Sequence, residues 1–173
     1  MKRICLVDGN NLMYKIENCL HLIESDYPSA CASLLNMIEQ YSKNCEFDSF
    51  VVFFDGVVEA EFKIPENISI DWSMRKTADN RIMNYIRQNY TDKILALVTS
   101  DTELYNFGHF HSVKMITSGL FVNMMKKKRA EHLGIKTTTI EDKTATSVTR
   151  KNFSYYKKLF DNAGEISKED LFQ

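Results

Sequence analysis

Proline and glycine are scarce in this 173-residue chain, at two and six residues, which excludes collagen-like repeats and the linkers those residues build. No apolar run approaches the roughly 18 residues of a membrane-spanning helix. The apolar stretch after the basic start, Ile4-Cys5-Leu6-Val7, meets Asp8, short of the about seven residues of a signal-peptide core. The expectation is a cytoplasmic protein without a membrane partner. Cys5, Cys19, Cys31 and Cys45 form no C-x-x-C pair and lack a matching histidine spacing, so they read as buried thiols in a reducing compartment. G-x-G-x-x-G is missing as well, which removes a dinucleotide-binding reading.

What is present is ordinary for a globular domain: 44% hydrophobic and 26% charged residues. A chain of this length can bury a core of its own. The net charge of −1 conceals an uneven distribution. Lys114 to Lys158 carries eleven Lys/Arg against Glu131, Glu141 and Asp142, whereas residues 1–113 carry ten basic and sixteen acidic side chains. That asymmetry fits a polyanion-binding face beside a carboxylate-rich site. Lys126-Lys127-Lys128-Arg129, with Arg150 and Lys151, are the candidate nucleic-acid contacts; a merely solvated helix face explains the same run equally well. Phe153, Tyr155 and Tyr156 offer stacking faces or, more simply, core contacts.

Continuous apolar runs at Ile4–Val7, Phe50–Phe54, Ile94–Val98 and Val113–Ile116 read as buried parallel strands, and Ile68–Trp72 as a short edge strand. Between them, helices are expected over Asn11–Leu22, Ser29–Tyr41 and Thr77–Tyr90, the last with Thr77 as N-cap and Ile82, Tyr85, Ile86 and Tyr90 inward. Ser100-x-x-Glu103 has the form of a capping box opening a helix to Phe110, and a further helix should cover Leu120–His132, stopped by Gly134. Residues 137–149 read as a loop and Asn152–Phe160 as a last helix. Strands alternating with helices imply one layered α/β domain, with residues 1–134 as its main body and 135–173 as an extension.

In such a domain the residues after each strand share the sheet's C-terminal edge, where α/β sites form. Asp8, Asp55 and Asp101 each follow a strand, and Asp79 opens a helix at the same edge. Each alone is explained as a turn or first-turn acid. Together they would repel and raise one another's pKa unless a cation neutralised them. Oxygen donors without nearby histidine or cysteine point to Mg²⁺ or Mn²⁺, an ion suited to phosphodiester hydrolysis. Asn11, Thr99 and Ser100 stand where they can orient ligands or water. His109 and His111 precede a strand and belong to the opposite edge.

The segments Leu6-Val7-Asp8-Gly9-Asn10-Asn11, Val51-Val52-Phe53-Phe54-Asp55, Thr77-Ala78-Asp79 and Val98-Thr99-Ser100-Asp101 together resemble the NYN domains of the PIN-like nuclease superfamily, specifically its YacP-like ribonuclease branch, over roughly residues 3–130. The resemblance implies a three-layer α/β/α domain with a mainly parallel sheet of order near 3-2-1-4-5. It implies metal-dependent endoribonuclease activity with Asp8, Asp79 and Asp101 as ligands, Asp55 as a weaker one, and Asn11 and Ser100 as helpers. The partner it implies is RNA, free, structured or ribosome-associated, with homo-oligomerisation left open. Asn10 and Met83 depart from the family pattern, which usually has an aromatic residue at the first and often a glutamate at the second.

Other phosphate chemistries fit less well. A receiver domain needs an acidic pair at the first strand and a late lysine, and a haloacid-dehalogenase-like phosphatase needs D-x-D where Asp8-Gly9-Asn10 stands. The serious alternative is a catalytically weak or inactive RNA-binding or protein-interaction module on the same fold, since fold does not fix activity.

Overall fold

The computed structural model describes residues 1–56, 60–73 and 77–134, all within the first of the chain's two compact units, Met1–Lys136. The strands are β1 (Arg3–Asp8), β2 (Ser49–Asp55), β3 (Ile68–Ser73), β4 (Ile94–Val98) and β5 (Lys114–Ile116), and the helices α1 (Gly9–Met13), α2 (Glu17–Ile23), α3 (Tyr27–Ser42), α4 (Ala78–Asn89), α5 (Thr102–Phe110) and α6 (Ser118–His132). The loop expected at 137–149, the helix expected at Asn152–Phe160, and Arg150 and Lys151 lie outside the described residues.

All four strand pairings are parallel, and the order is β3-β2-β1-β4-β5. The alternation of side chains along a strand divides the core in two. Cys5, Val7, Phe50, Val52, Phe54, Ala96 and Val98 meet α1, α2, α3 and α6 through Leu12, Cys19, Leu34, Ile38 and Phe121. Ile4, Leu6, Val51, Phe53, Leu95 and Leu97 meet α4 and α5 through Ile82, Ile86 and Leu104. Because both faces are covered, the central strands are apolar throughout. Edge strand β3 has a half-exposed pattern, and an Asp71–Arg81 ion pair ties it to α4.

Local departures from the expected elements have identifiable causes. The helix expected over Asn11–Leu22 is broken into α1 and α2. Lys15 and Ile16 donate to the carbonyls of Leu12 and Met13 at 3.0 Å, three-residue turns that tighten the end of α1. Ile16, extended at φ −115° and ψ 113°, starts the new helix while its side chain is buried. Ser100 does not cap α5; Asp101 does, accepting from the Leu104 N–H at 2.9 Å. Tyr90 is 47% exposed rather than inward, since it is already past the last turn of α4 and packs edge-on against His111. Cys5, Cys19 and Cys31 are buried free thiols and Cys45 is half-buried.

Gly9 is required where β1 turns into α1. A Cβ there would stand 2.6 Å from the Phe54 ring and 2.7 Å from the Phe53 carbonyl oxygen. The close approach lets the chain turn directly at the sheet edge, immediately after Asp8.

Candidate active site

The site is built at the C-terminal edge around β1, where strand order reverses between β2 and β4, the location at which doubly wound sheets bind ligands. Asp8 ends β1 and is 5% exposed. Its Oδ1 caps α1 by accepting the Asn11 N–H at 3.1 Å. Its Oδ2 accepts the Thr99 hydroxyl at 3.0 Å. Thr99, fully buried, also accepts the Asp101 N–H at 3.0 Å. Asp8 and Asp101 are thus joined through one hydroxyl.

A second junction lies one turn away. The Asn11 Oδ1 accepts the Ser100 N–H at 3.0 Å and the Ser118 hydroxyl at 2.7 Å. A backbone N–H can only donate, so the atom facing it must be the amide oxygen, which fixes the orientation of the Asn11 side chain. Ser118, also fully buried, donates its N–H to Ser100 Oγ at 3.2 Å. The turns after β1, β4 and β5 are therefore held together by Asn11, Ser100 and Ser118. Ser118 escaped the sequence reading because α6 was expected to begin at Leu120; Thr117, its actual N-cap, accepts from the Leu120 N–H, and its place before an apolar run was the available signal.

The third junction involves Asp55. Its Oδ1 accepts the Ala78 N–H at 2.9 Å and the Ser73 hydroxyl at 3.2 Å. Its own N–H donates to Asn10 Oδ1 at 3.0 Å, and the same oxygen accepts from Tyr27 Oη at 3.1 Å. Asp79 follows Ala78 in the first turn of α4.

The acids on this edge disfavour one another's charge. Burial, opposed by the Asn11 and Thr99 hydrogen bonds and reinforced by the charges of Asp79 and Asp55, pushes the Asp8 carboxyl up to about 6. Asp79 is also raised, first by partial desolvation and then by Asp101, Asp55 and Glu103. The acids therefore sense one another, as their placement on one edge requires. Among the described residues, however, no three His, Cys, Asp or Glu side chains are arranged to enclose a metal ion. Hydrated Mg²⁺ needs no such cage, since it commonly keeps several waters and binds through one or two carboxylates together with substrate phosphate. The donor chemistry of Asp8, Asp79 and Asp101 fits an ion held in that open way. Met83, one helical turn after Asp79, packs against the α4–α5 core and supplies no donor suited to a hard ion.

The basic run Lys126, Lys127, Lys128 and Arg129 lies in the second half of α6. With a rise of about 1.5 Å per residue, Lys126 stands about 12 Å along the helix from Ser118. A groove of about 950 Å³ there is lined by Lys126, Lys128 and Arg129, with Met37, Tyr41 and Met125 on its apolar part. Lys128 also pairs with Glu131 at 3.2 Å. His109 and His111 flank Phe110 at the far end of α5, away from the aspartates, and the His111 ring is within 2.9 Å of the Phe107 carbonyl oxygen. No helix among the described residues is long and apolar enough to cross a membrane.

Comparison with known proteins agrees with this architecture. Two crystal structures of Rae1 (YacP) from Bacillus subtilis superpose with a TM-score of 0.62. One is 18% identical, covering 95% of this chain and 98% of that one. The other, a tryptophan-to-leucine mutant of the same protein, is 17% identical, covering 74% and 77%. At such identity the likeness concerns the fold. No curated protein matches the sequence. Residues 5–161 match the YacP-like NYN domain, and the chain belongs to that family.

Proposed function

We propose that the protein is a metal-dependent endoribonuclease that hydrolyses RNA phosphodiester bonds at the Asp8–Asp79–Asp101 edge. Membership of the YacP-like NYN family supports a nuclease acting on RNA. The observation that carries the reading to these residues is the buried Asp8, raised to about 6 by burial and by neighbouring acids. Burial and the neighbouring acids disfavour the Asp8 charge, and a bound cation would offset that cost.

Asp8, Asp79 and Asp101 would hold Mg²⁺ or Mn²⁺, which supplies an activated water and neutralises charge on the phosphate and leaving oxygens. The chain's own contribution is preorganisation. Thr99 fixes the Asp8 carboxylate and the Asp101 backbone together. With its oxygen engaged by Ser100 and Ser118, Asn11 keeps its amide hydrogens for a substrate phosphate or a water. Ser100 accepts from Ser118 through its oxygen and retains its hydroxyl proton for the same purpose. Lys126, Lys127, Lys128 and Arg129 would contact RNA phosphates away from the scissile bond, leaving a strand of several nucleotides to span the distance along α6.

A non-catalytic RNA-binding module is the alternative, favoured by the missing acid at Met83. Incubation of mixed RNA and single-stranded DNA with Mg²⁺, Mn²⁺ or chelator separates the two readings. The nuclease cuts RNA only with the ion present, and Asp8→Asn abolishes cutting. The binding module retains RNA and cuts nothing under any of these conditions.

A further inference from the structure

The acid at the end of β2 has a different set of partners from the other three. Asp8 and Asp101 each cap the helix that follows them in sequence. Asp55 instead reaches across the site to a helix 23 residues further on, accepting the Ala78 N–H with the same oxygen that accepts the Ser73 hydroxyl. The local cap of α4 is weak by comparison: the Thr77 hydroxyl oxygen is 3.4 Å from the Asn80 N–H, at the far limit of a hydrogen bond, whereas the 2.9 Å contact from a carboxylate is of the strong, charge-assisted kind. A negative group at that position is also favoured by the helix macrodipole.

Asp55 is itself braced. Its N–H is held by Asn10 Oδ1 at 3.0 Å, and Tyr27 Oη donates to that oxygen at 3.1 Å and to the Asp55 carbonyl at 3.3 Å. The Gly56 N–H donates to Ser73 Oγ at 3.3 Å, closing the loop on the other side. One residue thus gathers the start of α1, the start of α3, the end of β3 and the start of α4. Asn10 provides the acceptor on which this depends.

Resting on the nuclease reading above, we propose that Asp55 is a positioning residue rather than a metal ligand: braced by Asn10 and Tyr27, it pins the first turn of α4 and so sets where the Asp79 carboxylate stands. The role needs an oxygen acceptor at Oδ1. The charge strengthens that contact, but a neutral amide oxygen still makes it, whereas a ligand to a hard cation depends on the charge.

Two variants separate these roles. Asp55→Asn retains a side-chain oxygen for the Ala78 N–H, and Asp55→Ala does not. Amide exchange at Ala78, followed by NMR, should rise at least about tenfold in Asp55→Ala and clearly less in Asp55→Asn, as expected when a local anchor is lost or only weakened. In RNA cleavage with Mg²⁺, Asp55→Ala should lose about 100-fold in kcat with little change in KM, the scale of a misplaced group, and Asp55→Asn should recover most of that loss. Should Asp55→Ala fail to fold, Asn10→Ala loosens the same brace from its other end and should raise Ala78 exchange in the same direction. The proposal is overturned if Asp55→Asn is as inactive as Asp8→Asn, or if Ala78 exchange is unchanged in both Asp55→Ala and Asn10→Ala. A wild-type protein that cuts no RNA would sink the nuclease reading alone, and Ala78 exchange would still decide the brace.

Discussion

Thr99 Oγ1 stands 3.0 Å from Asp8 Oδ2, and 3.0 Å from the Asp101 backbone nitrogen. One buried hydroxyl donates to the first acid and accepts from the second, so their spacing depends on a residue that carries no charge. Thr99→Val keeps the shape and deletes both bonds. Each buried group left without a partner costs about 1–3 kcal/mol, so urea unfolding should show a loss of at least about 2 kcal/mol, whereas Thr99→Ser should stay within about 1 kcal/mol of wild type. RNA cleavage should fall with stability in the valine variant and persist in the serine variant.

Asp8 makes stability depend on pH in an unusual direction. Its folded-state pKa, about 6, lies above the ordinary carboxylate value of 3.8. Folding therefore favours the protonated form, and the contribution is fully present below the ordinary value and lost as pH rises through about 6. The shift corresponds to about 3 kcal/mol, and Asp79, raised in the same sense, adds to it. Thermal unfolding in the absence of divalent ions should show Tm falling between about pH 4 and pH 7 from this source. In Asp8→Asn that slope should shrink, and the variant should equal or exceed wild type in Tm at about pH 8 even as cleavage is lost. A bound cation favours the ionised carboxylate, so cleavage by the wild type should rise with pH through a midpoint below the ion-free value of about 6.

Divalent ions should offset the same cost. Mg²⁺ or Mn²⁺ binding to the native site raises Tm by mass action, and chelator returns it to the ion-free value. At saturating Mn²⁺ the gain should be several degrees for wild type and at most a small part of that for Asp8→Asn. An equal gain in both proteins would place the ion elsewhere.

Gly9 tolerates no side chain. Gly9→Ala would press a methyl group against the Phe54 ring and the Phe53 carbonyl, at 2.6 and 2.7 Å, and overpacking of this kind costs about 1–3 kcal/mol. Because the displaced segment begins directly after Asp8, cleavage should suffer more than the stability loss alone explains, which comparison of kcat at a temperature well below Tm will reveal.

The basic half of α6 is testable through salt. Replacing Lys126, Lys127, Lys128 and Arg129 with glutamine removes at most four phosphate contacts, and each is worth about 0.7 in the logarithmic salt slope for single strands. RNA affinity measured between low and moderate salt should show a slope flatter by up to about 3. An unchanged slope excludes this face.

The sequence displays most of the frame because strand and helix periodicities are local. The apolar runs at Ile4–Val7, Phe50–Phe54 and Ile94–Val98 lie within the observed strands, and the edge strand at Ile68 and the cap at Thr77 are where alternation and capping chemistry place them. That Asp8, Asp55, Asp79 and Asp101 share an edge follows from the rule for parallel sheets. What each carboxylate touches does not follow, since those partners come from distant segments. Ser100 has the local form of a cap, yet Asp101 takes that role and Ser100 turns to Ser118 across the β4–β5 edge. Asp55 looks like one more strand-end acid, and only the approach of α4 shows its oxygen already engaged. Nothing in the spacing of Asn10 and Tyr27 foretells that the two would meet.

The central claim is that Asp8 anchors an ion-dependent RNA-cutting site, and an RNA cleavage assay tests it most directly. Wild type and Asp8→Asn are compared on labelled RNA with Mg²⁺, with Mn²⁺ and with excess chelator. The account predicts internal cleavage by the wild type with either ion, none with chelator, and a loss of at least about 1,000-fold in Asp8→Asn, consistent with removal of a main electrostatic contributor to catalysis. Equal cleavage by the two proteins, or cleavage undiminished by chelator, would contradict it.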